Sequence, residues 1–269
     1  MPRLTYTLRR AWALAGDRLG ARMRRDFYLY LAVAFTLVAC LDALTLNLVT
    51  GMRQKAFDAM VKNRLRVTPP SPDIVIVDVD ERSLAALAPD YGRWPWPRQV
   101  FGEFVEKLEA QKPRAIVFDI LFSDPDVYNP DSDAYFDAAI AATGNTWFPM
   151  VRLDPADDRK SALPIGRVPG VRQLSPGVDP AATVAMILPH FPAVQASGRL
   201  GTNNIWPDAD GIVRQYLPER SEHGFGLPSL PLALVRTERP ELQAPAELLI
   251  NWRGRPFSYR YVSFAELFS

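Results

Sequence analysis

Asp78, Asp80 and Glu81 directly follow the apolar run Ile74-Val-Ile-Val77, and Asp119 and Asp124 follow a second such run, Ala115-Ile-Val-Phe118. Carboxylates at the ends of buried-type strands can do three kinds of work. One Asp can attack phosphorus while a second serves as acid/base. Several together can hold magnesium or calcium through hard oxygen ligands, at the strand ends where open α/β sheets bind their ligands. The third reading needs no ligand: Asp80 caps a following helix, and Asp119 pairs with Arg98 or Arg93.

The loop between the two runs, Arg93-Trp94-Pro95-Trp96-Pro97-Arg98, is open to two readings. Indole faces accept cations or planar molecules, which would make the loop a ligand rim. Equally, a Pro-stiffened loop can fold its indoles over the sheet edge as an apolar lid. Asp208-Ala-Asp-Gly211 has part of a calcium loop, but Trp206 and Leu217 stand where the end ligands belong, so a turn is expected. His190 and His223 are isolated in sequence, and no zinc set of the usual Cys/His type can be assembled. No serine nucleophile elbow, phosphate-cradling glycine loop or cyclase motif is present. The expectation is a protein without enzymatic activity, with no cofactor and with the metal question open.

Residues 74–79 are β-branched and nearly continuous, as in a strand covered on both faces. A short helix from Asp80 to Leu87 follows, then one entered through Pro97 with Val100, Phe101, Phe104, Val105 and Leu108 as its apolar stripe. Pro113 ends it, and 115–121 returns as a strand, predicting a right-handed βαβ unit. A helix over 131–142 and a strand over 145–151 come next, and 152–192 reads largely as loop. Asp210-Gly211 is expected to join 201–205 and 212–217 as a hairpin. A helix over 230–236 and a strand over 247–252 complete the series.

These elements sit behind a different kind of N-terminus. Arg3, Arg9, Arg10, Arg18, Arg22, Arg24 and Arg25 precede the apolar stretch 27–49. That stretch matches the ~20 residues a helix needs to cross a bilayer, with Asp42 and Asn47 as its blemishes. The basic tail points to N-terminus in, remainder out. Overall charge is balanced, with Lys+Arg 31 against Asp+Glu 30, which argues against a nucleic-acid partner. Cys40, the single cysteine, lies within the apolar stretch, so no intrachain disulfide forms. The expected organisation is a cytoplasmic tail at 1–26, a transmembrane helix at 27–49, a juxtamembrane helix and linker at 50–72, and a main domain at 73–269. Ala32, Ala39 and Ala43 offer small surfaces for pairing with a second copy.

Three blocks in order, Asp78-x-Asp-Glu-x-Ser83, Arg93-Trp-Pro-Trp-Pro-Arg98 and Phe118-Asp-x-x-Phe122, resemble the CHASE2 family of bacterial receptors. Later stretches agree: Gly201-Thr-Asn-Asn204, Asp208-Ala-Asp-Gly-Ile-Val-Arg214, Pro228-Ser-Leu-Pro-Leu-Ala-Leu234 and Ile250-Asn-Trp-Arg-Gly254. The resemblance implies an extracytoplasmic sensory domain of a membrane receptor. It also implies a cytoplasmic output domain of nucleotide-cyclase or histidine-kinase type. A homodimer is expected separately, because one helix entering the membrane cannot readily transmit a signal alone. The fold expected is α/β: a transmembrane helix, then a mixed or mostly parallel sheet with flanking helices, cut short at the C-terminus relative to the family. Two other readings stand beside it. One is a ligand-free structural or scaffold domain. The other is an extracytoplasmic phosphatase, since Asp-x-Asp after a strand also opens the haloacid-dehalogenase enzymes. There Arg82 is a poor substitute for the usual Thr or Val.

Overall fold

The computed structural model describes residues 26–42, 44, 48–252 and 257–268. The chain divides into two compact units, Met1–Val67 and Thr68–Ser269.

In the first unit, α1 (Phe27–Leu41) lies within the apolar stretch expected as a span over 27–49, and α2 (Leu48–Lys62) falls largely on the expected juxtamembrane segment. α1 contains 15 residues, about 22 Å at the usual rise and short of a hydrocarbon core of about 30 Å. Among the described residues no helix is long and apolar enough to cross a membrane. Asp42 interrupts the apolar stretch as the C-cap residue of α1, and its N–H is still held by the Val38 and Ala39 carbonyls. α1 has no buried residue, and Phe35, Leu37 and Val38 are 76%, 65% and 66% exposed. The basic tail, Ala43 and Asn47 lie outside the described residues.

The second unit opens with β1 (Val75–Asp78), then α3 (Glu81–Tyr91) and α4 (Gln99–Glu109). β2 (Ile116–Val117), α5 (Pro130–Ala141) and β3 (Thr146–Arg152) follow. β3 is the spine of the domain. It carries β2 in parallel at its start, β6 (Leu200–Thr202) in parallel along its middle, and β5 (Met186–Ile187) antiparallel at its end. Such a strand is covered along most of its length, and most of Thr146–Arg152 is buried, with an apolar interior from Trp147 to Val151. α6 (Pro192–Ser197) leads into β6.

Two expectations are corrected here. β1 does not share a ladder with β2. It pairs in parallel with β11 (Arg260–Ser263) from the far end of the chain, Asp78 standing opposite Ser263. The local βαβ unit is thus replaced by a long-range closure. Nor does Asp210-Gly211 make a hairpin from β6 to the next strand. β6 is committed to β3, and β7 (Gln215–Tyr216) pairs with β10 (Leu248–Leu249). A tight turn remains, with Gly211 at φ 79 and its N–H on Asp208 O at 2.8 Å.

Within 152–192, read as loop, lie 3-10 turns at Pro155–Lys160 and Ile165–Arg167 and the short β4 (Arg172–Gln173). β4 joins the hairpin of β8 (Glu219–Glu222) and β9 (Phe225–Pro228). Next comes α7 (Leu230–Glu238), capped by Ser229. It lies against β6 so closely that a Cβ at Gly201 would stand 2.3 Å from Leu230 Cα. α8 (Phe264–Phe268) ends the chain. The core is aromatic: Phe101, Phe122, Phe136, Phe148 and Phe191 are all at most 1% exposed. Phe118 stacks on Phe148 at 4.9 Å, and Phe264 on Phe104 at 4.5 Å.

Candidate functional site

The acidic end of β1 is built by the chain leaving the strand in extended conformation at Asp80 (ψ 174) and turning at once into α3. That places the Asp80 carboxylate on the first turn, where helix N–H groups have no internal partners. Asp80 Oδ1 accepts from Ser83 N at 2.8 Å, from Ser83 Oγ at 2.6 Å and from Ser263 Oγ at 2.9 Å. Ser83 Oγ in turn accepts from Ala265 N at 3.1 Å. The Ser83 hydroxyl and N–H, then Ser263 and the charge of Arg82, hold the Asp80 carboxyl below its ordinary pKa, against a smaller opposing effect of burial. One oxygen of the carboxylate is therefore occupied by structural donors. Asp78 and Glu81 are exposed, and Arg82 forms an ion pair with Glu266.

The tryptophan loop divides its two indoles. Trp96 is 1% exposed and packs on Phe264 at 5.5 Å, whereas Trp94 is 42% exposed and meets Trp96 and Phe101 edge-on. Trp96 Nε1 has no acceptor among the described residues. Trp96 therefore belongs to the lid of the core, and only Trp94 presents a surface. Arg93 is exposed.

Arg98 does not pair with Asp119. Its guanidinium lies 5.0 Å from the Phe122 ring centroid, with Nε 3.9 Å from Asp133 Oδ1, an ion pair too long for a hydrogen bond. Alternation along the chain explains the difference. Phe118 and Phe122 turn into the core, at 6% and 0% exposure, and Asp119 faces outward to accept from Asn203 Nδ2 at 3.2 Å. Asp124 accepts from Ser123 Oγ at 2.7 Å. With β1 and β2 in separate ladders, Asp78 and Asp80 share no strand edge with Asp119 and Asp124. Among the described residues no group of three or more His, Cys, Asp or Glu is placed to hold a metal ion.

Several charged centres escaped the sequence reading. Arg152, 3% exposed at the end of β3, donates to both Asp158 oxygens at 2.8 and 2.7 Å and to the Ala185 carbonyl at 3.0 Å. Glu222 lies 3.4 Å from its Nη2, and the Asn204 side chain clamps its backbone N–H and C=O at 2.8 and 2.9 Å. Burial alone would raise the Asp158 pKa, but Arg152 and the Ala185 N–H outweigh it and hold it low. Glu219 on β8 receives Arg172 and Arg236. Burial opposes its ionisation, yet the two guanidinium groups bring its pKa down to about 2. Asp208 and Asp210 grip Arg214, each at 2.7 Å. Asp133 meets His190 Nε2 at 2.9 Å. Asn204 and Arg214 stand within the 201–204 and 208–214 stretches that carry the resemblance. Arg152 carried the sole remaining signal, a charge closing an otherwise apolar strand.

A family model for the CHASE2 domain matches residues 32–269, nearly the whole chain. The chain belongs to the CHASE2 family. No curated protein and no solved structure matches it. CHASE2 is a sensory and extracytoplasmic family rather than a catalytic one, and its members typically belong to receptors with cytoplasmic output domains. The blocks that carry the match have structural work to do in the CHASE2 unit described here. Asp80 and Ser83 close β1 on β11, Trp96 lids the core, and Phe118 and Phe122 fill it.

Proposed function

We propose that this chain is the extracytoplasmic input domain of a membrane-anchored bacterial receptor, with its basic tail in the cytoplasm and its second unit outside. The observation that carries the reading is the family match over 32–269. The character of α1 supports the anchor: an apolar helix with no residue buried in the protein requires lipid or another helix around it. The receptor works as a homodimer, because two anchors can change rotation or spacing where a single one has nothing to move against. Its output domain is of cyclase or histidine-kinase type, on the same polypeptide. A ligand-free scaffold is the second reading. It is favoured by the closed bonding of Asp80, which leaves that corner a structural clasp.

Alkaline phosphatase is active only outside the cytoplasm, so fusions after Gly20 and after Ser175 test the arrangement. Activity is expected only for the Ser175 fusion. Activity at Gly20 alone inverts the topology and removes the sensory reading with it.

A further inference from the structure

Away from the acidic corner, a cavity of about 280 Å³ opens between the start of β3 and the outer face of α7. It falls just below the usual range for ligand pockets, about 300–1,000 Å³, which suits a molecule of few atoms. Trp147 and Leu234 give it apolar walls, and Arg199, Arg114, Glu238 and Thr237 supply its polar lining.

Arg199 sets its character. Its Nε donates to Thr146 O at 2.9 Å and its Nη2 to Ile140 O at 3.2 Å. Both acceptors are backbone carbonyls, so the guanidinium is fixed in place while its charge stays uncompensated. Burial lowers its pKa, and among the described residues no carboxylate offsets that effect, in contrast to Arg152 and Arg172, whose acid partners raise theirs. Nη1 has no hydrogen-bond partner among the described residues. The one acid lining the cavity, Glu238, is engaged by Arg114 through a two-armed ion pair, Nε to Oε1 at 2.7 Å and Nη2 to Oε2. The cavity therefore holds a net positive charge next to an indole and a leucine.

From this arrangement we infer that the cavity is a binding site for a small organic carboxylate with an apolar body. The carboxylate takes the unpartnered edge of Arg199, and the carbon body lies on Trp147 and Leu234. A guanidinium presents parallel N–H groups that match a carboxylate, and one already held by two carbonyls loses little freedom on binding. The inference deepens the sensory reading and rests on it for the meaning of occupancy as signal. Binding itself is measured without reference to topology or output.

The test is titration calorimetry on the full chain in detergent, with benzoate and inorganic phosphate as probes. Saturable benzoate binding is expected, with phosphate weaker. Arg199→Gln should weaken benzoate about tenfold or more. Because Arg199 also holds the end of α5, Thr237→Phe provides a second arm: Thr237 is exposed, so a ring there occupies the cavity while the Arg199 side chain and its two carbonyl bonds are kept. Binding should disappear while circular dichroism stays unchanged. Glu238→Gln removes the competing negative charge and should tighten benzoate about threefold. Absence of saturable binding to the folded wild type would mean that Arg199 is only a cap on α5, and overturns the proposal. So does binding indifferent to Thr237→Phe and Glu238→Gln. Phosphate binding tighter than benzoate overturns the organic carboxylate. None of these failures bears on the reporter fusions, which test the sensory reading by themselves.

Discussion

Ser263 donates its hydroxyl to Asp80 Oδ1 at 2.9 Å across 183 residues of sequence. The same oxygen caps α3, so a local helix start and the long-range pairing of β1 with β11 depend on one carboxylate. Asp80→Ala should lower the melting temperature of the second unit more than Ser263→Ala does. Asp80→Asn should recover part of the loss, because an amide oxygen still accepts at an N-cap. The double variant Asp80→Ala/Ser263→Ala should fall short of the sum of the single effects, since both remove one shared contact. Strict additivity in urea melts would show that the two ends are held independently.

Acid sensitivity should trace to Glu219. Its folded pKa of about 2 lies below the ordinary 4.5, so its contribution is complete above about pH 4.5 and is lost as pH falls toward about 2. Linkage gives about 3 kcal/mol for a shift of this size, credible here because the Glu219 and Arg236 side chains are each only 12% exposed. Urea midpoints of the wild type should drop through that window, and the drop should be shallower in Glu219→Gln. An unchanged slope in the variant would assign the acid transition to other carboxylates. Asp80 and Asp158, also held low, act in the same direction.

Local signals in the sequence were physically sufficient where contacts are local. The cap at Asp80, the apolar stripe of α4 and the strand at β3 each depend on neighbours within a few residues. Pairing was not legible in the same way, because β1 could meet any apolar strand, and nothing in 260–263 marks it as the partner. Asp119 shows the limit at a candidate site. Its position after Phe118 was plain, but whether Arg98 could reach it depended on Asp133, which arrives from α5. Arg152 and Glu219 were hidden for the opposite reason: one charge opens a stretch read as loop, the other lies between assigned elements, and both resemble solvated surface until their partners are brought over them. The membrane reading treated 27–49 as one helix, whereas α1 ends at Leu41 with Asp42 as its C-cap residue.

Asn204 closes the end of β3 with its side chain in place of a neighbouring strand. Asn204→Ala leaves the Arg152 N–H and C=O without these partners in a half-buried setting. The expected cost is about 2 kcal/mol, read from urea denaturation. Asn204→Asp should be a distinguishing control: its carboxylate still accepts from the N–H but cannot donate to the carbonyl. It also brings negative charge to a buried cluster that already contains Asp158 and Glu222. Stability equal to wild type in both variants would show that solvent replaces the amide, and that the Asn204 clamp contributes nothing.

Trp96 offers the sharpest separation between a lid and a ligand rim. Its ring is 1% exposed and packs on Phe264, so Trp96→Ala should cost about 4 kcal/mol through the cavity it leaves. The indole N–H has no acceptor among the described residues, so Trp96→Phe removes an unsatisfied donor along with part of the packing, and the two effects oppose each other. A loss below about 2 kcal/mol is expected for that variant. Trp94, exposed and touching the core only by its edge, should tolerate Ala far better. The order of stabilities in equilibrium unfolding should therefore be wild type, Trp94→Ala or Trp96→Phe, then Trp96→Ala well below. If Trp94→Ala proves the most damaging of the three, the exposed indole carries packing that its 42% exposure conceals, and the division of labour between the two tryptophans is reversed.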